Sequence, residues 1–145
     1  MDTQQQDWRK EYDNVGSFPQ GRASVRKDRK EGHVNLKGEI TTPLEYDDVG
    51  YFSQGRAWVK KAGKYGHVNL KGGITTPLEY DDVGDFHDCR ARVRKDGKYG
   101  HVDLEGKITT PLEYDYADSF CQGRASVKKD GKYGHVDLEG TVTWD

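Results

Sequence analysis

The sequence predicts an all-β protein in which four similar units of 34 residues follow one another. The first observation is a strict repeat, since the segment DGKYGHVDLEG occurs at 96–106 and again, unchanged, at 130–140. The second is that marker residues recur at this spacing without an insertion. The third is an alternation of apolar and polar residues, which is the period of a strand with one buried face. The markers include Tyr12, Tyr46, Tyr80, Tyr114, Phe18, Phe52, Phe86, Phe120, His33, His67, His101 and His135.

Each unit contains three predicted strands, which are clearest in the second copy. They are RAWVKK at 56–61, GHVNLK at 66–71 and ITTPLEY at 74–80. No apolar run at helical spacing exceeds one turn, and the units are rich in glycine and β-branched residues, which disfavours paired helices. Each unit is therefore predicted to be a three-stranded meander closed by a loop. The residues expected on its buried faces are Ala57, Val59, Val68, Leu70, Ile74, Thr76, Leu78 and Tyr80.

Tight turns separate these strands. The dipeptides Asp96-Gly97 and Asp130-Gly131 are typical of two-residue hairpins, because both central residues of such a turn need a positive φ. Glycine also stands between the second and third strands, where a positive φ is again expected. Proline falls near the end of the third strand, where a missing amide hydrogen is tolerated. These glycines and prolines are Gly38, Gly106, Gly140, Pro43, Pro77 and Pro111.

A single meander of this kind cannot bury its own apolar face, so the units are expected to stack. We predict a polar lead-in at 1–10 and one domain at 11–145, with units at 11–44, 45–78, 79–112 and 113–145. An open β-solenoid-like stack is the favoured architecture, and a closed four-bladed propeller-like ring is the alternative. Trp8 and Trp144 hold equivalent register positions at the two ends. They would cover the ends of an open stack or meet in a ring.

Composition narrows the classes of partner. The chain is 32% hydrophobic and 33% charged, with a mean hydropathy of −1.03, which predicts an ordered but thin core. A formal net charge of −2 gives no electrostatic reason to expect nucleic acid or a membrane as a partner. The polar start of the sequence resembles no signal peptide, so a cytoplasmic location is expected. Cys89 and Cys121 occupy different repeat positions and are expected to be free thiols.

The repeated histidines are the most conspicuous polar feature. A row of imidazoles could bind zinc or copper, but such a row rarely converges on one tetrahedral centre. The sequence therefore favours a solvent-facing, half-stacked row of histidines and no metal. The aspartates of the loops YDDVGDF and YDYADSF lack the spacing of a calcium loop and are expected to stabilise turns. Repeated glutamates and arginines are expected to link neighbouring units: Glu11, Glu45, Glu79, Glu113, Arg22, Arg56, Arg90 and Arg124.

Catalysis is not expected from this pattern. An active site needs unlike groups at one place, whereas the polar residues here come in fours. No phosphate-binding loop, nucleophile elbow or histidine–glutamate metal motif is present. We therefore predict a protein that is not an enzyme and needs no cofactor.

Residues that differ between the units are the better candidates for specific binding. At one outward strand position the four units carry Ser24, Trp58, Arg92 and Ser126. The neighbouring loop adds Tyr51 in the second unit and His87 in the third. Tryptophan, tyrosine and arginine are typical of protein-contact hot spots. The candidate binding residues are Tyr51, Trp58, His87 and Arg92, and another protein is the expected partner.

Two alternatives of other classes stay open. Repeated outward His-Asn and His-Asp pairs could each hold a sugar weakly, so that avidity produces a multivalent carbohydrate binder. Open strand edges could also join copies of the chain into a homo-oligomer or filament. A singular Trp58 favours a protein partner, whereas equivalent polar residues in every unit favour a glycan.

The repeat unit resembles the WG repeat, also called the KWG repeat, of bacterial proteins. The resemblance covers residues 11–142, and it implies β-structure in open arrays of variable copy number rather than an enzyme. The family's tryptophan is replaced by tyrosine in three units and by Glu31 in the first, and its next aromatic is replaced by histidine in all four. Residues that fit the pattern are Lys98, Gly100, Val102, Asp103, Gly106, Ile108, Tyr114, Asp115, Phe120, Gly123, Ala125 and Val127.

Overall fold

The computed structural model describes residues 8–145, and this part of the chain folds into four antiparallel sheets of four strands each. Within every sheet the strands are ordered as they occur in the sequence. Two short 3₁₀ turns, Trp8–Glu11 and Pro19–Gly21, lie in the first unit. Residues 1–7 of the predicted lead-in lie outside the described residues.

The strands of the four sheets have the following bounds. Sheet 1 contains β1 (Asn14–Val15), β2 (Ala23–Lys27), β3 (Lys30–Val34) and β4 (Ile40–Tyr46). Sheet 2 contains β5 (Asp48–Val49), β6 (Arg56–Lys61), β7 (Lys64–Asn69) and β8 (Ile74–Tyr80). Sheet 3 contains β9 (Asp82–His87), β10 (Arg90–Lys95), β11 (Lys98–Val102) and β12 (Ile108–Tyr114). Sheet 4 contains β13 (Tyr116–Ala117), β14 (Arg124–Lys129), β15 (Lys132–Asp137) and β16 (Val142–Trp144).

The all-β tandem array is confirmed, and each sheet has one strand more than the predicted meander. The additional strand comes from the segment expected to be a loop. In sheet 2, Val49 pairs with Val59 and is buried, and the Gly50 amide donates to the carbonyl of Trp58. Because this short segment both buries an apolar side chain and satisfies its backbone, it pairs with the next strand instead of remaining a loop.

The predicted turns are present. Asp96 and Gly97 have φ values of 53° and 79°, the combination that a primed two-residue turn requires. Between β7 and β8, the Asn69 side chain accepts from the amides of Lys71 and Gly73, which closes the turn. The prolines of the third predicted strand lie in its middle rather than near its end. They are tolerated there because β4, β8 and β12 are edge strands.

Three of the four apolar clusters include the tyrosine that ends the preceding sheet. Tyr46 ends sheet 1 but packs with Phe52, Val59 and Val68 of sheet 2. Tyr80 and Tyr114 do the same for the two following sheets. The apolar face of one sheet therefore needs its neighbour, as expected for a stacked repeat.

The array is open at its fourth sheet. All hydrogen bonds and ring contacts between sheets in residues 8–145 join consecutive sheets, and none joins the first to the fourth. Trp8 packs on the apolar face of sheet 1, whereas Trp144 remains 42% exposed. Cys89 and Cys121 are free and exposed. No helix in the described part of the chain has the length and apolarity to cross a membrane.

Candidate protein-binding face and the junctions between sheets

Three of the four repeated histidines are buried between sheets, so the expectation of a solvent-facing row is wrong for them. The His67 Nδ1 atom lies 2.9 Å from Thr76 Oγ1, and its Nε2 atom lies 2.8 Å from the carbonyl oxygen of Gly84 in the next sheet. Since a carbonyl only accepts, Nε2 carries the proton and the threonine hydroxyl donates to Nδ1. The same arrangement occurs at His33 and His101.

Burial sets the protonation state of these histidines. Desolvation lowers the pKa of His33, His67 and His101 to about 4, although the bond to the backbone carbonyl acts in the opposite direction. Each ring also meets a phenylalanine of the next sheet edge-on, with centroids 4.7 Å apart for His67 and Phe86. At neutral pH each imidazole is therefore an uncharged, fully bonded connector between two sheets.

Two further groups of side chains cross each junction. The Arg56 Nε atom donates to the carbonyl of Leu104, and Arg22 and Arg90 make the equivalent bonds to Leu70 and Leu138. These arginines link neighbouring units as predicted. Asp47 accepts from Lys30 of sheet 1 through one carboxylate oxygen and from the Ala62 amide of sheet 2 through the other. These bonds hold the pKa of the Asp47 carboxyl below its usual range.

Most of the repeated polar residues therefore form hydrogen bonds within the chain. The histidines bond across the junctions, and the Asn69 and Asp103 side chains each bond two turn amides. The outward His-Asn and His-Asp pairs on which a sugar site depended do not exist in the first three units. Among residues 8–145 there is also no group of three or more His, Cys, Asp or Glu side chains able to hold a metal ion.

Trp58 lies part-exposed on the face of sheet 2 that also carries Arg56 and His67 and is turned toward sheet 3. Its indole covers Gly50, where an added Cβ would overlap the ring. The ring centroid is 5.6 Å from that of Tyr65, on the neighbouring strand. Tyr51 follows Gly50 and is 62% exposed. The structure thus places Trp58 against Gly50 and beside Tyr65, which the sequence analysis assigned only to the family pattern, and it leaves the predicted residue Tyr51 exposed next to this glycine in the chain.

Arg92 holds the equivalent position one sheet further along. Its guanidinium lies 5.6 Å from the centroid of Tyr99 and 5.7 Å from that of Tyr116, and it donates to the Tyr116 hydroxyl at 3.2 Å. Tyr99 and Tyr116 contact each other edge-on. We define the aromatic face as Trp58, Tyr65, Arg92, Tyr99 and Tyr116.

His87 lies apart from these rings. It is exposed at the end of β9 and pairs with Arg90 rather than with Arg92. None of the ring contacts or hydrogen bonds found in the described residues joins its side chain to the aromatic face. The only sequence signal that grouped His87 with Arg92 was their proximity along the chain.

An exposed row of isoleucines was missed by the sequence analysis. Ile40, Ile74 and Ile108 begin the edge strands and are 55%, 53% and 51% exposed. Strict alternation placed Ile74 on the buried face with Thr76. The pairing of β7 with β8 shifts register beside His67 and Val68, and only the threonine is covered by the next sheet. A bulge of this kind has no plain signal in the sequence.

Solved structures share this stacking of four-stranded sheets. The chain is similar to the N-terminal domain of Nup159, with a TM-score of 0.50 and 13% identity over 93% of this chain and 43% of that one. It is also similar to KlHsv2 with loop 6CD replaced by a Gly-Ser linker, with a TM-score of 0.51 and 8% identity over 85% and 47%. The chain thus spans less than half of either protein. No curated protein matches it in sequence.

The fold and its junctions define a tandem β-sheet repeat protein with β-propeller-like stacking. The model of the WG containing repeat matches residues 10–30, 32–65, 65–99 and 99–133. These matches cover most of the chain, which therefore belongs to the WG repeat family. A repeated β-fold of this kind is suited to protein interaction.

Proposed function

We propose that the chain is a non-enzymatic module that binds another protein through its aromatic face. The observation that carries this proposal is the row formed by Trp58 beside Tyr65 and, one sheet further along, Arg92 beside Tyr99. Rings and guanidinium groups held by their neighbours lose little side-chain entropy on binding and present a large contact area. These are the properties of hot-spot residues.

The residues that differ between the units also support the aromatic face as the binding surface. Ser24 and Ser126 hold the position of Trp58 in the outer units, so a tryptophan or arginine occurs at this position only in the two middle sheets. A partner that binds this face would contact sheets 2 and 3 and Tyr116 of sheet 4, and it would not contact sheet 1. The repeated polar groups, in contrast, bond within the chain, and this disfavours both catalysis and a glycan site in every unit.

The test compares the protein with a variant that copies its own outer units. Trp58→Ser installs the residue found at this position in units 1 and 4. Ile74→Ser is the matched control, because it removes an exposed apolar side chain from the same sheet outside the aromatic face. Each chain is used for quantitative affinity capture from lysate, with half of the lysate treated with periodate to destroy glycans.

The proposal predicts a protein retained by the wild type and by Ile74→Ser, lost with Trp58→Ser, and insensitive to periodate. An Arg92→Ser variant is expected to weaken the same capture. Capture that is lost with Ile74→Ser but kept with Trp58→Ser would move the site to the isoleucine row. Capture abolished by periodate would instead favour the carbohydrate alternative.

A further inference from the structure

The outer face of sheet 4 carries the residues of a junction, and no sheet of residues 8–145 is stacked on it. His135, Ser126 and Arg124 lie on this face by strand parity, as Trp58, His67 and Arg56 do in sheet 2. The His135 side chain is 33% exposed, and Tyr133 is 58% exposed. We call this surface the tail face and define it by Arg124, Ser126, Tyr133, His135 and Thr143.

The tail face offers hydrogen-bond donors without acceptors. In each inner junction an arginine donates to a leucine carbonyl of the following sheet, and a histidine Nε2 donates to a carbonyl of the following sheet's first strand or the residue after it. Within residues 8–145, neither the Arg124 guanidinium nor His135 Nε2 has such a partner. By analogy with the three inner junctions, the tail face would bind a surface that offers one backbone carbonyl to Arg124, a second backbone carbonyl to His135, and a phenylalanine ring against the His135 imidazole.

The first sheet carries the matching groups. By the 34-residue register, the carbonyls of Gly16 and Leu36 correspond to those that His33 and Arg22 bind in sheet 2, and Phe18 corresponds to Phe52. Neither carbonyl is bonded to an equivalent arginine or histidine within the described residues. The Leu36 side chain is 67% exposed, whereas Leu70, Leu104 and Leu138 are half-buried against their clusters. We call the surface of sheet 1 that contains Gly16, Phe18 and Leu36 the head face.

Trp8 closes the head face. In sheets 2, 3 and 4 a turn glycine touches the preceding sheet's last strand; a Cβ on Gly72 would meet the Thr41 carbonyl. On sheet 1, a Cβ on Gly38 would meet the Trp8 indole instead. The indole therefore occupies the place of a preceding strand. Its Nε1 is buried without a hydrogen-bond partner within the described residues, which costs stabilisation relative to a bonded group.

We propose that the tail face docks the head face of a second copy of the chain, and that Trp8 leaves the head face when it does so. The contact would reproduce the inner junctions, with Arg124 donating to the partner's Leu36 carbonyl and His135 Nε2 donating to the partner's Gly16 carbonyl, which requires His135 to carry its proton on Nε2 and to release the Nδ1 contact with Asp145. Because head and tail are different surfaces, the association is head-to-tail and adds sheets in one direction. It does not use the aromatic face and is independent of the proposed function.

The experiment is sedimentation velocity on the full chain from micromolar to near-millimolar concentration. Trp8→Thr opens the head face with the residue that Thr42, Thr76 and Thr110 place at this register. Arg124→Glu removes the donor of the tail face and repels the carbonyl. Lys132→Glu is the matched control, because Lys132 shares the strand parity of Val136 on the opposite face of the same sheet.

The wild type is expected to self-associate weakly, and Trp8→Thr about tenfold or more tightly, because a head face that is mostly closed lowers apparent affinity by its open fraction. Combining Trp8→Thr with Arg124→Glu is expected to abolish association, whereas combining it with Lys132→Glu preserves it. Wild type and Trp8→Thr that both stay monomeric would overturn the proposal. So would association of Trp8→Thr that survives Arg124→Glu. Should Trp8→Thr lose its strand circular dichroism, the wild type with and without Arg124→Glu at the highest concentration decides the question.

Discussion

The segment DGKYGHVDLEG occurs in units 3 and 4, and its two copies lie in different environments. His101 is fully buried, with Nδ1 bonded to Thr110 and Nε2 to the Asp118 carbonyl of the next sheet. His135, in the identical segment, is part-exposed with Nδ1 3.4 Å from Asp145. The difference arises outside the segment, because no sheet within residues 8–145 is stacked on the outer face of sheet 4.

The last strand contributes to this difference. In sheet 3 the pairing of β11 and β12 shifts register, which places Thr110 opposite His101. In sheet 4 the pairing is regular, so Thr143 stands opposite His135 and Trp144 lies beside Gly134. Trp144, which holds the position of Thr110 in the repeat, is therefore opposite Gly134 and not opposite His135. Stacking and the pairing of the last strand, rather than the identical segment itself, make the histidine a junction residue.

The largest expected effect of the buried histidines is on the free energy of unfolding at acid pH. The buried histidines have a folded pKa of about 4 against the ordinary histidine pKa of 6.5, so the unfolded chain binds more protons than the folded chain between these two pH values. With respect to these histidines, the free energy of unfolding should be constant above about pH 6.5. Between about pH 6.5 and 4 it should fall by about 1.4 kcal/mol per pH unit for each histidine, which is about 4 kcal/mol per pH unit for the three together. Urea unfolding at a series of pH values measures this slope.

A single variant assigns that slope to the junctions. His67→Asn is expected to reduce it by about a third. An equal slope for His67→Asn and the wild type would contradict a role for the buried imidazoles in acid sensitivity.

Truncation of the two histidines at neutral pH is the next largest contrast. His67→Ala should cost about 3 kcal/mol of unfolding free energy, since it leaves a cavity and two buried polar groups without a partner. His135→Ala should cost less than about 0.5 kcal/mol, as is usual for a surface position. Thermal and urea unfolding of both variants provide the comparison. A similar loss for both would mean that the fourth sheet is covered in solution.

The arginines give the smallest contrast. Arg56→Ala removes the bond to the Leu104 carbonyl and should cost about 1–2 kcal/mol, because a charged donor is lost at a part-buried site. Arg124→Ala should cost almost nothing at micromolar concentration, where the tail face is free. Urea unfolding of the two variants at equal concentration checks this prediction. If Arg124→Ala loses as much unfolding free energy as Arg56→Ala, the tail face is not free.

The repeat and its strands could be predicted because they depend on residues close in sequence. The alternation around Ala57 and Val59 marked a buried face, and the Asp96-Gly97 pair marked a turn whose φ values the structure confirms. The stacking of units followed from the small apolar content of each one. The sequence thus predicted the array without a template.

The junctions could not be predicted, because they depend on which face the next sheet covers. Alternation showed that Val68 and His67 point to opposite faces, but only stacking shows that both faces are buried. The same limit hid the fourth strand, since Val49 was read as part of a loop. Trp58 was identified from its variation between units, yet Tyr65, whose ring it contacts, belongs to the repeated pattern and pairs with Lys60 rather than with Trp58, so this contact had no sequence signal.

The most direct test of the junctions is a ¹⁵N imidazole NMR titration of the full chain. Our account predicts that His33, His67 and His101 keep one neutral tautomer, with the proton on Nε2 and Nδ1 unprotonated, until the pH approaches 4. These three are also expected to show slowly exchanging Nε2 protons bonded to a backbone carbonyl. Titration of these three rings near the ordinary histidine pKa, with mixed tautomers, would contradict buried junctions between the sheets.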